Sequence, residues 1–248
     1  TGNCRFLVHH QINNRNDETV QESGSQQSAQ NNFCHGTLYF IAGQVAAECQ
    51  RNQCKRTGQC RHQNDNKQEV IFMCELLKTR RSVRKYKPEA VNRDTMKVIL
   101  ECGINAPNGQ NKQSWAVRVV DNPEYLNGIS EIFKQKNPKA AEDPNFKNMF
   151  RNAPTVVFIG NDTSYDCSQI DCGLLGENMI LSAWSMGIGS CCLGGPTRFM
   201  TSTPAAAEYL KKLDIPEGYQ LLYCIAFGYP DETPAAKPRN AAKVKFID

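Results

Sequence analysis

From Glu69 onward the chain shows regular hydrophobic patterning, with two different periods. Apolar residues crowd Gln68 to Lys78, at Val70, Ile71, Phe72, Cys74, Leu76 and Leu77, and predict a helix there. Met96, Ile99 and Leu100 fall on one face of a second helix from Arg93 to Cys102, with Gly103 as its stop signal. Trp115 to Val120 has the β-branched content of a strand, Pro123 to Lys134 reads as a helix, and Thr155 to Ile159 as a short buried strand. Cys167 to Met186 is a long helix, apolar on nearly every side, which implies burial all round or at a subunit interface. Thr203 to Leu213 predicts a further helix and Leu221 to Phe227 a further strand. Helices interleaved with short strands make an α/β or α+β layered domain.

Up to about Asn64 that patterning is missing. The segment is rich in Gln and Asn, as in QESGSQQSAQNN from Gln21 to Asn32, and its one apolar patch, Thr37 to Ala47, is too short for a core. Such a composition does not bury enough apolar surface to offset chain entropy, so residues 1–64 are expected to be disordered or loosely packed. All twelve prolines lie in the later part, which places a domain at 65–248.

Cysteine and histidine sharpen the contrast. Cys4, Cys34, Cys49, Cys54 and Cys60 share the first segment with all four histidines, His9, His10, His35 and His62. Their spacings lack the paired CxxC pattern of a zinc ribbon and the CxxCxxC run of an iron–sulfur site, so no metal site is assigned. The seven later cysteines read as mostly buried thiols of an intracellular protein. Without a histidine after His62, chemistry in the large domain runs without a histidine base, which excludes Ser-His and Cys-His hydrolases.

Charge adds little. A net +4 suits an anionic small ligand as well as a polynucleotide, and no nucleic-acid partner is expected. There is no run of eighteen apolar residues for a membrane span and no secretion signal in the first twenty residues, so the expectation is a cytoplasmic protein with no membrane partner. No GxGxxG or P-loop opens a helix, which argues against Rossmann and Walker nucleotide sites.

Three polar constellations stand against this scaffold. Arg80-Arg81-Ser82-Val83-Arg84 follows a helix and offers guanidiniums for a phosphate and for carbonyl oxygens; it also fits a solvated basic helix end. Ala106-Pro107-Asn108-Gly109-Gln110-Asn111-Lys112-Gln113-Ser114-Trp115 brings amides to the start of a strand, where they can read the edge of a planar heterocycle or form an ordinary loop. Gly187 to Pro196 (GIGSCCLGGP) is made of small residues that let backbone approach a flat ligand, or make a plain turn. A shorter element, Lys237-Pro238-Arg239, lies near the C-terminus.

The order RRSVRKY, APNGQNKQSW, DCGLLGENMILSAWSMGIGSCCLGG and IAFGYP with KPR resembles the nitroreductase family over about residues 67–248. That resemblance implies an α+β sandwich, with a mixed, mostly antiparallel sheet flanked by helices, in an intertwined homodimer with FMN at the interface. It implies that Arg80, Arg81, Ser82 and Arg84 serve the phosphate, ribityl and pyrimidine side, and that Asn111 and Gln113 bond the ribityl and ring edges. Cys192, Leu193, Gly194 and Gly195 lie along the ring, and Lys237 with Arg239 completes the phosphate clamp. Cys167 to Met186 becomes a dimer helix. Ser114 stands where many members have proline. The implied activity is ping-pong transfer of electrons from NADH or NADPH through FMN to small-molecule acceptors, nitroaromatics, quinones or related electrophiles. No side chain is assigned as a general base, because the cofactor carries the chemistry. Alternatives within the resemblance are dehalogenation or dehydrogenation on the same flavin fold, and a non-catalytic FMN-binding or redox-sensing protein.

Overall fold

The computed structural model describes residues 73–247, so the first segment, its cysteines and histidines, and the boundary near Asn64 lie outside the described residues. Asparagine side chains set two helix starts. Asn92 accepts from the Asp94 amide at 2.8 Å and opens α1 (Arg93–Ile104). Asn122 accepts from the Glu124 and Tyr125 amides at 2.8 and 3.3 Å and, with Pro123 in the first turn, opens α2 (Pro123–Lys136). Each cap satisfies amides that lack an intrahelical partner and contributes ~1 kcal/mol. A short α3 (Pro138–Glu142) follows.

Strands β1 (Trp115–Val120), β2 (Thr155–Asp162), β3 (Gly189–Leu193) and β4 (Tyr219–Gly228) form one sheet in the order β1-β2-β4-β3, with every pairing antiparallel. The parallel contribution is a bridge from Ser82 to Ser190 on the edge strand β3. The helices α4 (Ser168–Ser185), α5 (Gly195–Ser202) and α6 (Ala207–Lys212) complete the layers.

Strand alternation builds two cores. Val157, Ile159, Ile225 and Phe227 face α1 and α4, packing on Met96, Ile99, Leu175 and Met179. Val156, Phe158, Cys224 and Ala226 face the other way, onto Leu126 and Ile129 of α2 and Met200 of α5. The run Val156 to Ile159 is apolar throughout because both sheet faces are covered. Phe150, Phe158 and Phe227 are fully buried, each worth about 1.5–3 kcal/mol relative to exposure. The architecture is the expected α+β sandwich.

Several expectations are corrected. Gly103 does not stop α1, which runs on to Ile104; a Cβ there would lie 2.5 Å from the Met179 Cγ, so the glycine lets α1 lie close against α4. Gly189 to Leu193 is an edge strand and Gly195 to Ser202 a helix, elements that the small residues of Gly187 to Pro196, read as close backbone for a flat ligand or as a plain turn, did not predict. Thr203 to Leu213 splits into a 3-10 turn at Pro204–Ala206 and α6. Cys172, Cys191 and Cys224 are buried, but Cys74, Cys167 and Cys192 are exposed and Cys102 is half-buried, so the later thiols are not mostly buried. Of the first predicted helix, the described part is helical over 73–79, with Met73, Cys74 and Leu77 exposed.

Candidate functional site

The basic segment is fixed by its backbone. The Val83 amide donates to the Ser190 carbonyl at 2.9 Å, and Val83 itself is fully buried against Gly189. The Lys87 amide donates to the Tyr229 carbonyl at 2.9 Å, and the Asp231 amide to the Lys85 carbonyl at 3.0 Å. The Arg84 amide donates to the Glu232 carboxylate at 2.5 Å, and Tyr86 hydroxyl to the Val83 carbonyl at 2.5 Å. Guanidiniums stay uncommitted to acids: Arg81 donates to the Lys78 and Arg80 carbonyls, and Arg84 to the Ser82 carbonyl. Among the described residues, neither these arginines nor Lys237 and Arg239 form an ion pair.

This segment meets the third constellation. Cys191 points into the core and Cys192 outward, as neighbours on a strand must. Burial pushes the Cys191 thiol above its ordinary value, while the Arg84, Arg151 and Arg80 charges pull against it. The Tyr86 hydroxyl is raised likewise by burial, and Arg84 and Arg151 again oppose the shift. Arg80 also acts on Cys192. Leu193 ends the strand at 9% exposure, Gly194 caps α5 and Gly195 begins it. A Cβ added at the exposed Gly195 would meet nothing within 4 Å, so the backbone is open there.

The amide loop is built in the opposite way. Gln110, Asn111 and Gln113 all take left-handed backbone, with φ of 55°, 55° and 48°. Each such residue costs on the order of 1 kcal/mol, so side chains must hold the shape. The buried Asp171 carboxylate accepts from the Gly109 amide at 3.1 Å and from the Ser114 hydroxyl at 2.8 Å. Asn108 accepts from the Gln113 amide at 2.9 Å, and Gln113 carbonyl from the Trp115 amide at 2.8 Å. The Lys112 ammonium lies 4.1 Å from the Tyr165 ring centre. Asn111 and Gln113 themselves are exposed.

Within one chain the site residues form two groups. Ser82 and Val83 meet β3 at Ser190 and Gly189, and the Arg80 charge reaches Cys192. Asn111 and Gln113 sit by the first turn of α4, whereas Ser190, which holds the basic segment, lies just past its last turn. β3 then places Cys192 within reach of the Glu177 charge, about midway along that helix. Lys237 and Arg239 are exposed on the tail beyond Glu232, and among the described residues the Arg239 guanidinium bonds the Lys237 carbonyl, at 3.4 Å. Sequence reasoning missed Asp171, Glu232 and Arg151. An acid in the first turn of a helix is ordinary, and nothing in its spacing links Asp171 to a loop more than fifty residues earlier. Among the described residues, no group of three or more His, Cys, Asp or Glu is placed to hold a metal, and no helix is long and apolar enough to cross a membrane.

A nitroreductase family model matches residues 77–229, from the helical stretch before the basic segment to just past β4. A Methanothermobacter thermautotrophicus protein named as an NADH dehydrogenase/NAD(P)H nitroreductase is 28% identical over 178 residues, covering 70% of this chain and 85% of its own. A nitroreductase with bound FMN from Bacteroides fragilis superposes with a TM-score of 0.63 at 27% identity, over 71% of this chain and 98% of its own. An FMN-dependent nitroreductase from Clostridium difficile gives a TM-score of 0.61 at 29% identity, with the same coverage. The family match takes in more than half of the chain and three of its four polar elements, leaving only Lys237 and Arg239 beyond it. The protein belongs to the nitroreductase family of flavoprotein oxidoreductases.

Proposed function

We propose that this chain binds FMN and passes electrons from NADH or NADPH to nitroaromatic, quinone or related conjugated acceptors in alternating half-reactions. The observation that carries the reading is the basic segment pinned by its backbone to β3, with none of its guanidiniums in an ion pair among the described residues. The donor set suits the group: Arg80, Arg81 and Ser82 offer charge and a hydroxyl to phosphate and ribityl oxygens, and Arg84 favours negative charge on the pyrimidine side. Cys192, Leu193, Gly194 and Gly195 would lie along the ring, and Lys237 and Arg239 would close on the phosphate. When bound, FMN supplies the hydride chemistry; the chain binds, orients and sets the local field. The FMN held by the Bacteroides fragilis relative supports this choice of cofactor.

The same reading includes a homodimer. In this reading the flavin lies where two copies meet, and a second copy supplies Asn111 and Gln113. Ile170 and Leu174 stand out on α4 at 65% and 40% exposure, and Val244, Phe246 and Ile247 are exposed on the tail, which gives the partner apolar surface to cover. No flavin contact is assigned to residues 1–64, read as a separate segment. Purified protein is expected to carry, or take up, one noncovalent FMN per chain, to sediment as a dimer, and to oxidise NAD(P)H rapidly once a quinone is added. A folded sample that shows no flavin absorbance and is not reconstituted by FMN would end the proposal. FMN binding without turnover would leave a flavin store.

A further inference from the structure

We propose that Asp171 is the positioning residue that holds the amide loop in the shape in which Asn111 and Gln113 meet the flavin, an inference that rests on the FMN reading above. Asp171 is 2% exposed and stands in the first turn of α4, where the helix amides favour an anion. Its two oxygens do separate work. Oδ1 accepts from Gly109 and Oδ2 from Ser114, the residues on either side of Gln110 to Gln113. The carboxylate therefore grips the loop at both ends and, among the described residues, hydrogen-bonds neither Asn111 nor Gln113.

What it holds is a run that would otherwise relax. Three of the four residues between the two grips are left-handed, and none of the three is a glycine. Freed at both ends, they would fall back towards the commoner right-handed or extended basins, turning the Asn111 and Gln113 amides away from where they now point. Ser114 acquires a purpose here. Proline at this position would offer no hydroxyl to Oδ2, so the serine and the aspartate form one device.

The chemistry separates position from charge. In Asp171→Asn the amide oxygen still accepts from Gly109, and the amide nitrogen can donate to the Ser114 oxygen, which accepts as readily as it donates. Both grips survive without the charge. Asp171→Ala removes both.

The test uses the full chain as wild type, Asp171→Ala, Asp171→Asn and Ser114→Ala. FMN affinity is titrated, the flavin-band circular dichroism is recorded at saturating FMN, and the apoprotein is melted. Asp171→Ala is expected to weaken FMN at least about tenfold, as loss of hydrogen bonds to a charged group implies, and to shift the flavin bands towards those of free FMN. Asp171→Asn should stay within about threefold with wild-type bands, and Ser114→Ala, which keeps one grip, should fall between them. A merely structural role would lower the apoprotein melting temperature and leave the spectrum of the bound flavin alone. Wild-type bands in Asp171→Ala, or Asp171→Asn as weak as Asp171→Ala, would overturn the inference while wild-type FMN binding keeps the flavin reading intact. If Asp171→Ala does not fold, wild-type affinity and bands in Ser114→Ala overturn it instead. A wild-type chain that binds no FMN overturns both.

Discussion

The basic segment and the amide loop solve the same problem, holding polar groups ready at a surface, by opposite means. Residues 82–87 borrow the sheet: Val83 bonds β3 at Ser190 and Lys87 bonds Tyr229 just past β4, and among the described residues no arginine of the segment is in an ion pair. The amide loop has no strand to lean on and takes left-handed backbone, so it depends on side chains, above all on Asp171. The lesson is about where each region is fragile. The first is sensitive where backbones approach one another, the second where one buried carboxylate is lost.

Substitutions can break or sharpen that contrast. The largest expected effect is on ligand binding: Arg80→Ala should weaken FMN about tenfold or more, since a hydrogen bond to a charged group is lost. Its melting temperature should stay within what a change of about 0.5 kcal/mol produces, because the backbone holds the segment. A collapse of the fold in Arg80→Ala would show that the side chain builds the edge after all.

Next come two glycines, one in each region. A Cβ at Gly189 would sit 2.9 Å from the Val83 Cβ, in a core that has no room to give. Gly189→Ala should cost about 1–3 kcal/mol by chemical denaturation, with part recovered in the double variant with Val83→Ala. At Gly109 the clash is with the far end of Tyr165, whose hydroxyl lies 2.0 Å from the added Cβ and can swing outward. Gly109→Ala should therefore cost less than about 1 kcal/mol. Equal costs at the two sites would erase the contrast.

The smallest expected effect is a pH slope beside the amide loop. Cys172, buried next to Asp171, has its thiol pushed from 9.0 up to about 12, first by burial and then by the Asp171 charge. A raised thiol keeps its full contribution to stability below the unfolded value and loses it as pH climbs through the folded one. Wild-type melting temperature should thus decline from about pH 9 towards pH 12 more steeply than that of Cys172→Ala. Parallel declines in the two proteins would remove Cys172 from the account.

Much of the fold was legible in the sequence. β1 was expected at Trp115 to Val120 and found there, and α1, α2, β2, α4 and β4 were expected within a few residues of where they lie. Strong periodicity or an unbroken apolar run marked each of them. β3 was hidden because an edge strand of Gly, Ser and Cys reads as a turn; the glycine is there to admit Val83, a residue about a hundred positions away. The first and third polar elements were read separately, and the structure joins them through the bridge from Ser82 to Ser190. Asp171 was hidden for a related reason. It is one acid in an apolar helix, and its meaning lies in a loop on the far side of two strands. Serine at 114, which departed from the family pattern, becomes intelligible only beside it.

The strand order has a consequence for how this chain folds. β2 and β4 are hydrogen-bonded neighbours at the centre of the sheet, yet α4, β3, α5 and α6 all come between them in sequence. β1 and β2 are separated by α2 and α3, and β3 and β4 by α5 and α6, so no pair is closed by a tight hairpin. Each ladder must therefore be found across a long closure before it returns any energy, and folding should run more slowly than in a helical bundle of similar length. Until β4 arrives, β2 presents Val156 to Ile159 as an apolar strand with an open edge, so the nascent chain is most prone to stray pairing just before its last strand docks.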